Sequence, residues 1–207
     1  MKKTVALILL LALAASLCLV NTGFAGTSTE SGGSSYSSSS LQQRINDLPP
    51  FKFNIHKYGI GYGSCPVYTA PSLDAYRCAN GKATCQTNSK MDDGGFVDNG
   101  WLLVRYETNN GQYRVGYIPH KYVRDFKSQM YPHFGYIEVT ADDRIMVTDN
   151  PMSHTGGFAY LDPDETFHII SRYNYYAKNG FDWLYIECWV DGKVARGFIE
   201  NDLSKFH

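Results

Sequence analysis

The sequence has none of the short motifs that usually mark a catalytic centre. It contains no H-E-x-x-H, no paired C-x-x-C and no G-x-S-x-G, the patterns of zinc peptidases, thiol redox or zinc sites, and serine hydrolases. The glycine-rich stretch 59–63 (GIGYG) lacks the Lys-Ser/Thr pair and the following helix that a phosphate loop requires. We interpret it as strand glycines at a bend. We therefore expect no catalytic residue, no cofactor and no metal site.

Beyond residue 25 the sequence also has no long apolar run and no cluster of basic residues. No stretch approaches the ~18 consecutive apolar residues that a membrane-spanning helix needs. Without Lys2 and Lys3, 17 Lys and Arg stand against 20 Asp and Glu, a net charge of −3. Nucleic-acid-binding domains usually carry a basic patch, and here the basic residues are scattered. These absences predict no membrane span in the mature chain and no nucleic-acid partner.

Residues 1–25 have the three parts of a secretory signal peptide. Lys2 and Lys3 form the positive region, residues 5–20 form the apolar region, and residues 23–25 (GFA) provide the small residues of a cleavage site. Cys18 opens a lipoprotein alternative, although Leu17 is bulky where that processing favours a small residue. We predict cleavage after Ala25, and a protein that is secreted to the extracellular space or associated with the cell envelope.

Residues 26–48 begin with a stretch made almost entirely of Ser, Thr and Gly (GTSTESGGSSYSSSS, 26–40). Such a composition has too little apolar surface to offset the entropy lost on ordering. We predict a flexible linker over 26–48.

After residue 50 the pattern is that of an all-β protein. Short aromatic and β-branched runs are separated by dipeptides that suit the positive φ angles of hairpin turns: Asn80-Gly81, Asn99-Gly100, Asn110-Gly111, Asn179-Gly180 and Asp191-Gly192. Residues 101–106 and 183–190 alternate between two sets of side chains, the period of a half-buried strand. No segment carries an apolar stripe of period 3.6.

The same pattern occurs twice. A Trp is followed nine or ten residues later by a turn Gly, and five residues after that by Gly-aromatic-Ile, in Trp101, Gly111 and 116–118 and again in Trp183, Gly192 and 197–199. This spacing predicts two copies of one module, at 51–124 and 136–207.

The first copy resembles a known family. Residues 100–105 (GWLLVR), a turn and residues 116–123 (GYIPHKYV) resemble the core of a Src-homology-3 (SH3) domain, in which D-G-W-W-x-A, a distal hairpin and G-Y-I-P-x-x-Y-V follow in that order. Residues 76–83 (YRCANGKA) resemble an insert of exported bacterial members. The resemblance implies two tandem small SH3-like barrels, each five-stranded and partly open, after the signal peptide and Ser-rich linker. Bacterial members are often attached to cell-wall enzymes or exported as tandem modules.

The resemblance also implies a ligand groove, whose family positions match Trp101, Pro119, Tyr122 and Tyr68. Flat aromatic faces pack well against an extended or polyproline-like peptide. In the second copy Trp183 is retained as a ligand-binding candidate, but residues 200–203 (ENDL) replace 119–122 (PHKY). The alternative is that these aromatic residues only close the barrels. Further aromatic residues of the second copy are interpreted as core and inter-module packing, or as a different aromatic surface: Tyr173, Tyr175, Tyr176 and Trp189.

Four cysteines follow the predicted cleavage site. A turn centred on Asn80-Gly81 would place Cys78 opposite Cys85, and we predict a disulfide between them. Cys188 lies on the apolar face of its strand and is expected to be a buried thiol. Cys65 has no obvious partner, and its pairing with Cys78 or Cys85 stays open.

These features favour an exported, non-catalytic module that recognises peptidoglycan or other extracellular peptides through the first barrel. One alternative is a structural or protein-interaction module that docks onto a surface protein without using a groove. Another is a cell-wall hydrolase. A Cys-His peptidase would need Cys65 beside His56 or His120 in a cleft, and two modules of about 72 residues leave no room for that fold.

Overall fold

The computed structural model of the protein describes residues 38–55, 63–86, 91–98, 100–123, 130–173 and 183–207. The predicted signal peptide and residues 26–37 of the predicted linker lie outside this part of the chain. In the first half the elements are helix α1 (Ser38–Asp47), strands β1 (Asn54–Ile55), β2 (Ser64–Pro66), β3 (Thr84–Gln86), β4 (Met91–Val97), β5 (Trp101–Glu107) and β6 (Tyr113–Ile118), and a 3₁₀ turn (His120–Tyr122). In the second half they are β7 (Ile137–Thr140), β8 (Ile145–Val147), β9 (Ala159–Leu161), β10 (Thr166–Tyr173), β11 (Trp183–Val190) and β12 (Lys193–Glu200).

The described residues are mostly β-strand, which confirms the all-β prediction at that level. The first half forms a four-stranded sheet in the order β1-β4-β5-β6, and the second half forms one in the order β7-β10-β11-β12. Each half adds a two-stranded ribbon, β2-β3 and β8-β9 respectively. All strand pairs are antiparallel. The two halves therefore have the same strand order.

The two halves also share a detail of backbone pairing. Tyr68 exchanges two backbone hydrogen bonds with Tyr117, at 3.0 and 2.7 Å, and Thr148 exchanges two with Phe198, at 3.0 and 2.7 Å. Each bridge ties the segment after a short strand to the last strand of its own half.

A glycine allows each of these bridges to form. A Cβ atom built at Gly116 would lie 2.8 Å from the Tyr68 carbonyl oxygen, and one built at Gly197 would lie 3.0 Å from that of Thr148. Any larger residue would push the two segments apart. The Gly of the repeated Gly-aromatic-Ile pattern is therefore a site of close backbone approach in both halves.

Most buried apolar residues of the described segments fall into three clusters. The first core belongs to the first half and contains Cys65, Val67, Ala83, Cys85, Met91, Leu102, Val104, Tyr106 and Ile118. The second core combines helix α1 with the second half, and includes Leu41, Ile45, Ile137, Phe167, Leu184, Ile186, Cys188 and Ile199. The shared core draws on both halves and contains Phe51, Val97, Leu103, Val115, Tyr117, Ile170, Tyr173, Trp183, Tyr185 and Phe198.

The alternation predicted for β5 and β11 is present, but both faces of each strand are covered. Leu102 and Val104 face the first core while Leu103 faces the shared core. Likewise Ile186 faces the second core and Tyr185 the shared core. The prediction of half-buried strands was wrong in this respect, because the shared core occupies the face that was assigned to solvent.

Helix α1 overturns part of the linker prediction. Leu41, Ile45 and Leu48 are buried in the second core, and their i, i+4, i+7 spacing places them on one side of a helix. The Arg172 side chain then donates a hydrogen bond to the Leu48 carbonyl at 3.3 Å. The flexible-linker prediction is therefore wrong for residues 38–48.

The predicted turn at Asp191-Gly192 joins β11 to β12. Both residues have positive φ, 51° and 72°, and Val190 pairs with Lys193 across the turn. This is the geometry that Asp-Gly favours in a two-residue hairpin. The Asn179-Gly180 prediction lies outside the described residues.

Candidate functional site

The rings of Tyr68 and Trp101 meet edge to face, with centroids 5.3 Å apart and an interplanar angle of 82°. Tyr68 is held in place by its backbone bridge to β6, and Trp101 begins β5 opposite Val97. Both side chains are half-buried, so each keeps part of its ring at the surface. We name this pair the aromatic ledge.

Arg77 supports the ledge from one side. Its guanidinium carbon lies 4.9 Å from the centre of the Tyr68 ring, within the range of a cation–π interaction. The same guanidinium donates hydrogen bonds to the carbonyls of Val67, at 3.2 Å, and Ala83, at 2.7 Å. The two hydrogen bonds hold the guanidinium in place, and its contact with the ring orients Tyr68.

A surface pocket of about 440 Å³ adjoins the ledge. Its walls include Tyr68 and Tyr76 from the first half and the hairpin turn of β11 and β12 from the second half. Asp191 and Lys193 are exposed at that turn, so the turn adds one charge of each sign to a lining that also contains Arg77 and an aromatic wall.

The back of Trp101 packs against the shared core. The prediction that Trp101 points away from Leu102 and Val104 agrees with this placement. The face opposite those two residues is nevertheless occupied by the second half, which leaves Trp101 half-buried rather than fully presented to solvent.

Pro119 and Tyr122 follow the end of β6. Pro119 is buried and leads into the 3₁₀ turn with φ −60°, so its ring is not available to a ligand in this arrangement. Tyr122 is half-buried against the first core, and the Lys121 ammonium lies 5.2 Å from the centre of its ring. Of the four predicted groove residues in the first half, the structure brings Tyr68 and Trp101 into contact.

Trp183, the counterpart of Trp101, is covered. It is 3% exposed, and the His154 ring stacks on it with centroids 5.4 Å apart and an interplanar angle of 28°. Glu200 holds His154 there, with 2.6 Å between His154 Nδ1 and the carboxylate. The predicted ligand-binding role of Trp183 is therefore not supported by its position. Glu200, which replaces Pro119 in the second copy, fixes the side chain that covers the Trp.

The cysteine arrangement differs from the predicted one. Cys85 lies directly opposite Cys65 in the β2–β3 ribbon, and their sulfur atoms are 3.1 Å apart. Cys78 instead makes a hydrogen bond with the side chain of Asp149, and burial raises the pKa of its thiol. The predicted Cys78–Cys85 pairing is thus wrong, because the chain between Arg77 and Ala83 turns within itself rather than forming the ribbon. Cys188 is a buried thiol, as predicted.

Two hydrogen bonds cross the boundary between the halves. The Tyr185 hydroxyl donates to the Tyr117 hydroxyl at 3.1 Å, and Arg196 donates to the same Tyr117 oxygen at 3.2 Å. Arg196 also pairs with Glu187 at 2.8 Å. Burial raises the pKa of both tyrosines, so both hydroxyls keep their protons and remain donors at neutral pH.

The two interpretations of the further aromatic residues apply to different members of the set. Trp189 is 67% exposed, as the alternative of an aromatic surface requires, whereas Tyr173 lies in the shared core, as the packing interpretation requires. Tyr175 and Tyr176 lie outside the described residues. Trp189 occupies the outer end of β11, beside the turn, where alternation alone does not reveal that the sheet ends.

No family model, no curated protein and no solved structure matches this chain. Within the part of the chain that the structure describes, no group of three or more His, Cys, Asp or Glu side chains is arranged to hold a metal ion. The same residues include no helix of the length and apolarity that a membrane crossing requires.

Proposed function

We propose that this chain is an exported, non-catalytic binding protein built from two SH3-like units, and that the aromatic ledge of the first unit receives an extended peptide. The observation that carries the proposal is the edge-to-face contact of Tyr68 and Trp101 beside a pocket of about 440 Å³. The common strand order of the two halves and their equivalent bridges support the tandem SH3-like architecture.

Peptides of the bacterial cell wall are the proposed ligand class. Such peptides are extended and carry both free carboxylates and free amines, which suits a pocket that presents Lys193 and Asp191 beside an aromatic wall. The tandem, exported organisation resembles that of wall-targeting modules. A shallow ledge of two half-buried rings supports weak binding, on the order of micromolar or about −8 kcal/mol.

Co-sedimentation with purified cell-wall sacculi tests this proposal. Protein spanning residues 26–207 should pellet with sacculi, and Trp101→Ala should weaken binding at least about tenfold, equivalent to roughly 1.4 kcal/mol. Trp189→Ala is the matched control, since it removes an indole that is 67% exposed and outside the ledge. Lys193→Glu serves as a second variant that reverses a pocket charge without touching the cores. If binding were unchanged in both Trp101→Ala and Lys193→Glu, the aromatic ledge would not be the binding site.

A second function is favoured by the shared core. Leu103 and Tyr117 from the first half and Phe198 from the second are fully buried in it, so the two halves are packed into a single body. Such a body could dock onto a surface protein without using the ledge. In that case the protein would stay in the supernatant with sacculi, yet bind intact cells and lose that binding on mild proteolysis of their surface.

A further inference from the structure

Cys65 and Cys85 are placed as a disulfide pair across two strands. They are direct partners in the antiparallel ribbon of β2 and β3. Directly opposite residues in such a pair have Cα atoms about 4.5–5.5 Å apart, inside the range of about 4.4–6.8 Å that disulfides span. Their sulfur atoms are 3.1 Å apart, so a small rotation of the side chains completes a bond of about 2.05 Å.

The geometry points to a disulfide between Cys65 and Cys85 in the exported protein. The oxidant is another disulfide, either a small-molecule disulfide or that of a thiol–disulfide oxidoreductase. One cysteine thiolate attacks that disulfide and releases a thiol. The second thiolate then attacks the resulting mixed disulfide and releases the other thiol. Two protein thiols are oxidised, one external disulfide is reduced to two thiols, and the two protons pass to the released thiolates.

The Cys65 thiol is the better candidate for the first attack. A hydrogen bond from Cys85 lowers the pKa of Cys65, which increases its thiolate fraction. Both side chains are nevertheless almost fully buried, 0% and 3% exposed. An external oxidant therefore reaches them while the two strands are paired but the first core is still open, and a reductant is excluded once that core has closed.

The other two cysteines have different environments. Cys78 is engaged with Asp149 of the second half, and Cys188 lies in the second core, away from the first core that contains Cys65 and Cys85. Cys78 itself packs against the first core, but the sulfur in contact with that of Cys85 belongs to Cys65. The pairing therefore selects one bond and leaves two thiols.

The bond would close the loop that carries the candidate site. Residues 66–84 include Tyr68 of the ledge and Arg77, which holds the Tyr68 ring. A cross-link at the base of this loop limits its unfolded conformations and helps to keep Tyr68 and Arg77 in contact. This consequence rests on the proposed function, whereas the bond itself does not.

Refolding protein spanning residues 26–207 with oxidised glutathione, followed by thiol counting in denaturant and mapping of non-reduced peptides, tests the inference. We expect two free thiols of the four cysteines and a peptide that joins Cys65 to Cys85. Cys78→Ser should retain the bond with one free thiol, whereas Cys65→Ser should lose it and show three. Protein that is reduced in urea and refolded without an oxidant should have a Tm about 6–12 °C lower, from the loop entropy of a segment of this length.

Four free thiols after oxidative refolding would overturn the inference, as would a peptide that joins Cys78 to Cys85. Resistance of the bond to dithiothreitol in the folded protein, with rapid reduction in urea, would support the role of burial. These results do not depend on sacculus binding, so failure of the proposed function and failure of the disulfide are distinguishable.

Discussion

Arg114 of the first half pairs with Asp149 of the second half, with 2.6 Å between the guanidinium nitrogen Nη1 and the carboxylate oxygen Oδ1. The backbone reinforces this contact, since the amide of Val115 donates to the Asp149 carbonyl at 2.8 Å. The Asp149 side chain is 8% exposed. Burial raises the pKa of Asp149, and the nearby Arg114 opposes that rise.

Loss of Arg114 should therefore be costly. We expect Arg114→Gln to lower the free energy of unfolding by about 2–4 kcal/mol at pH 7, because it leaves a buried carboxylate without its charge partner. Arg144→Gln is the matched control, as the Arg144–Asp162 pair has side chains 63% and 70% exposed, and it should cost less than about 0.5 kcal/mol. Urea denaturation measures both. Equal costs would show that the contact between the halves contributes nothing specific.

The cost of Arg114→Gln should also depend on pH. An acid whose pKa is raised by folding contributes most to stability while protonated, and that contribution is lost as pH rises through the folded-state pKa. Without Arg114 the pKa of Asp149 rises further, so the variant is penalised most at neutral pH and least in acid. The difference between wild type and variant should shrink between pH 7 and pH 4. The side chains of Arg114 and Cys78 face this carboxyl, and a pH-independent difference would contradict the assignment.

The hydroxyl of Tyr117 should contribute to the boundary between the halves. Tyr117→Phe removes the oxygen that accepts from both Tyr185 and Arg196. Leaving buried donors without an acceptor typically costs about 1–3 kcal/mol. Tyr160→Phe removes a hydroxyl from a side chain 51% exposed and should be nearly neutral. If the two variants melted at the same temperature, the hydrogen bonds at Tyr117 would be shown to be dispensable.

Removal of His154 should uncover Trp183. The imidazole stacks on the indole, so His154→Ala should increase acrylamide quenching of tryptophan fluorescence and shift its emission to longer wavelength. Recording this in a Trp189→Phe background removes the exposed indole from the signal. His207→Ala is the control, since His207 is an exposed partner of Asp142. Unchanged quenching would mean that Trp183 is covered by other groups.

The thiol of Cys188 should be inert in the folded protein. Burial, followed by the charges of Glu165 and Glu187, raises the pKa of Cys188 to about 12. The reactive thiolate is therefore scarce at pH 8, and iodoacetamide should label Cys188 only after unfolding. Labelling should accelerate as pH rises towards 11, because ionisation of the buried thiol also becomes favourable. Mass spectrometry of the labelled peptides measures this, and the modified peptide should be absent from Cys188→Ala.

The strands that begin at Trp101 and Trp183 and the turn at Asp191-Gly192 could be predicted from local signals. Asp191-Gly192 forms its hairpin because the two residues accept positive φ, and the strand from Trp101 follows from its alternation. What alternation could not reveal is what covers each face. Both faces of β5 are buried, Leu102 and Val104 in the first core and Leu103 in the shared core, and the cover of the second face comes largely from residues of the second half.

The candidate site could be predicted only in part, again because local patterns do not reveal what covers each residue. The contact between Tyr68 and Trp101 follows from the resemblance of the first copy to an SH3 core, whereas the burial of Pro119 and Trp183 depends on neighbours that no local pattern specifies. The pairing of Cys85 with Cys65 rather than Cys78 is a matter of strand register. Helix α1 was missed because three serines begin it, and its apolar stripe of Leu41, Ile45 and Leu48 is too short to stand out.

Helix α1 can be covered only when the second half of the chain is present. Leu41 and Ile45 leave the ribosome early, but the strands they pack against begin at Ile137, and the hydrogen bond from Arg172 to Leu48 joins residues 124 positions apart. Bringing residues this distant together costs loop-closure entropy before the contacts between them can stabilise the fold. Helix α1 therefore cannot dock before the second half has been synthesised, and a chain interrupted before β10 would leave its apolar stripe uncovered. Truncated products of this gene should accordingly be recognisable by chaperones and proteases from their N-terminal end.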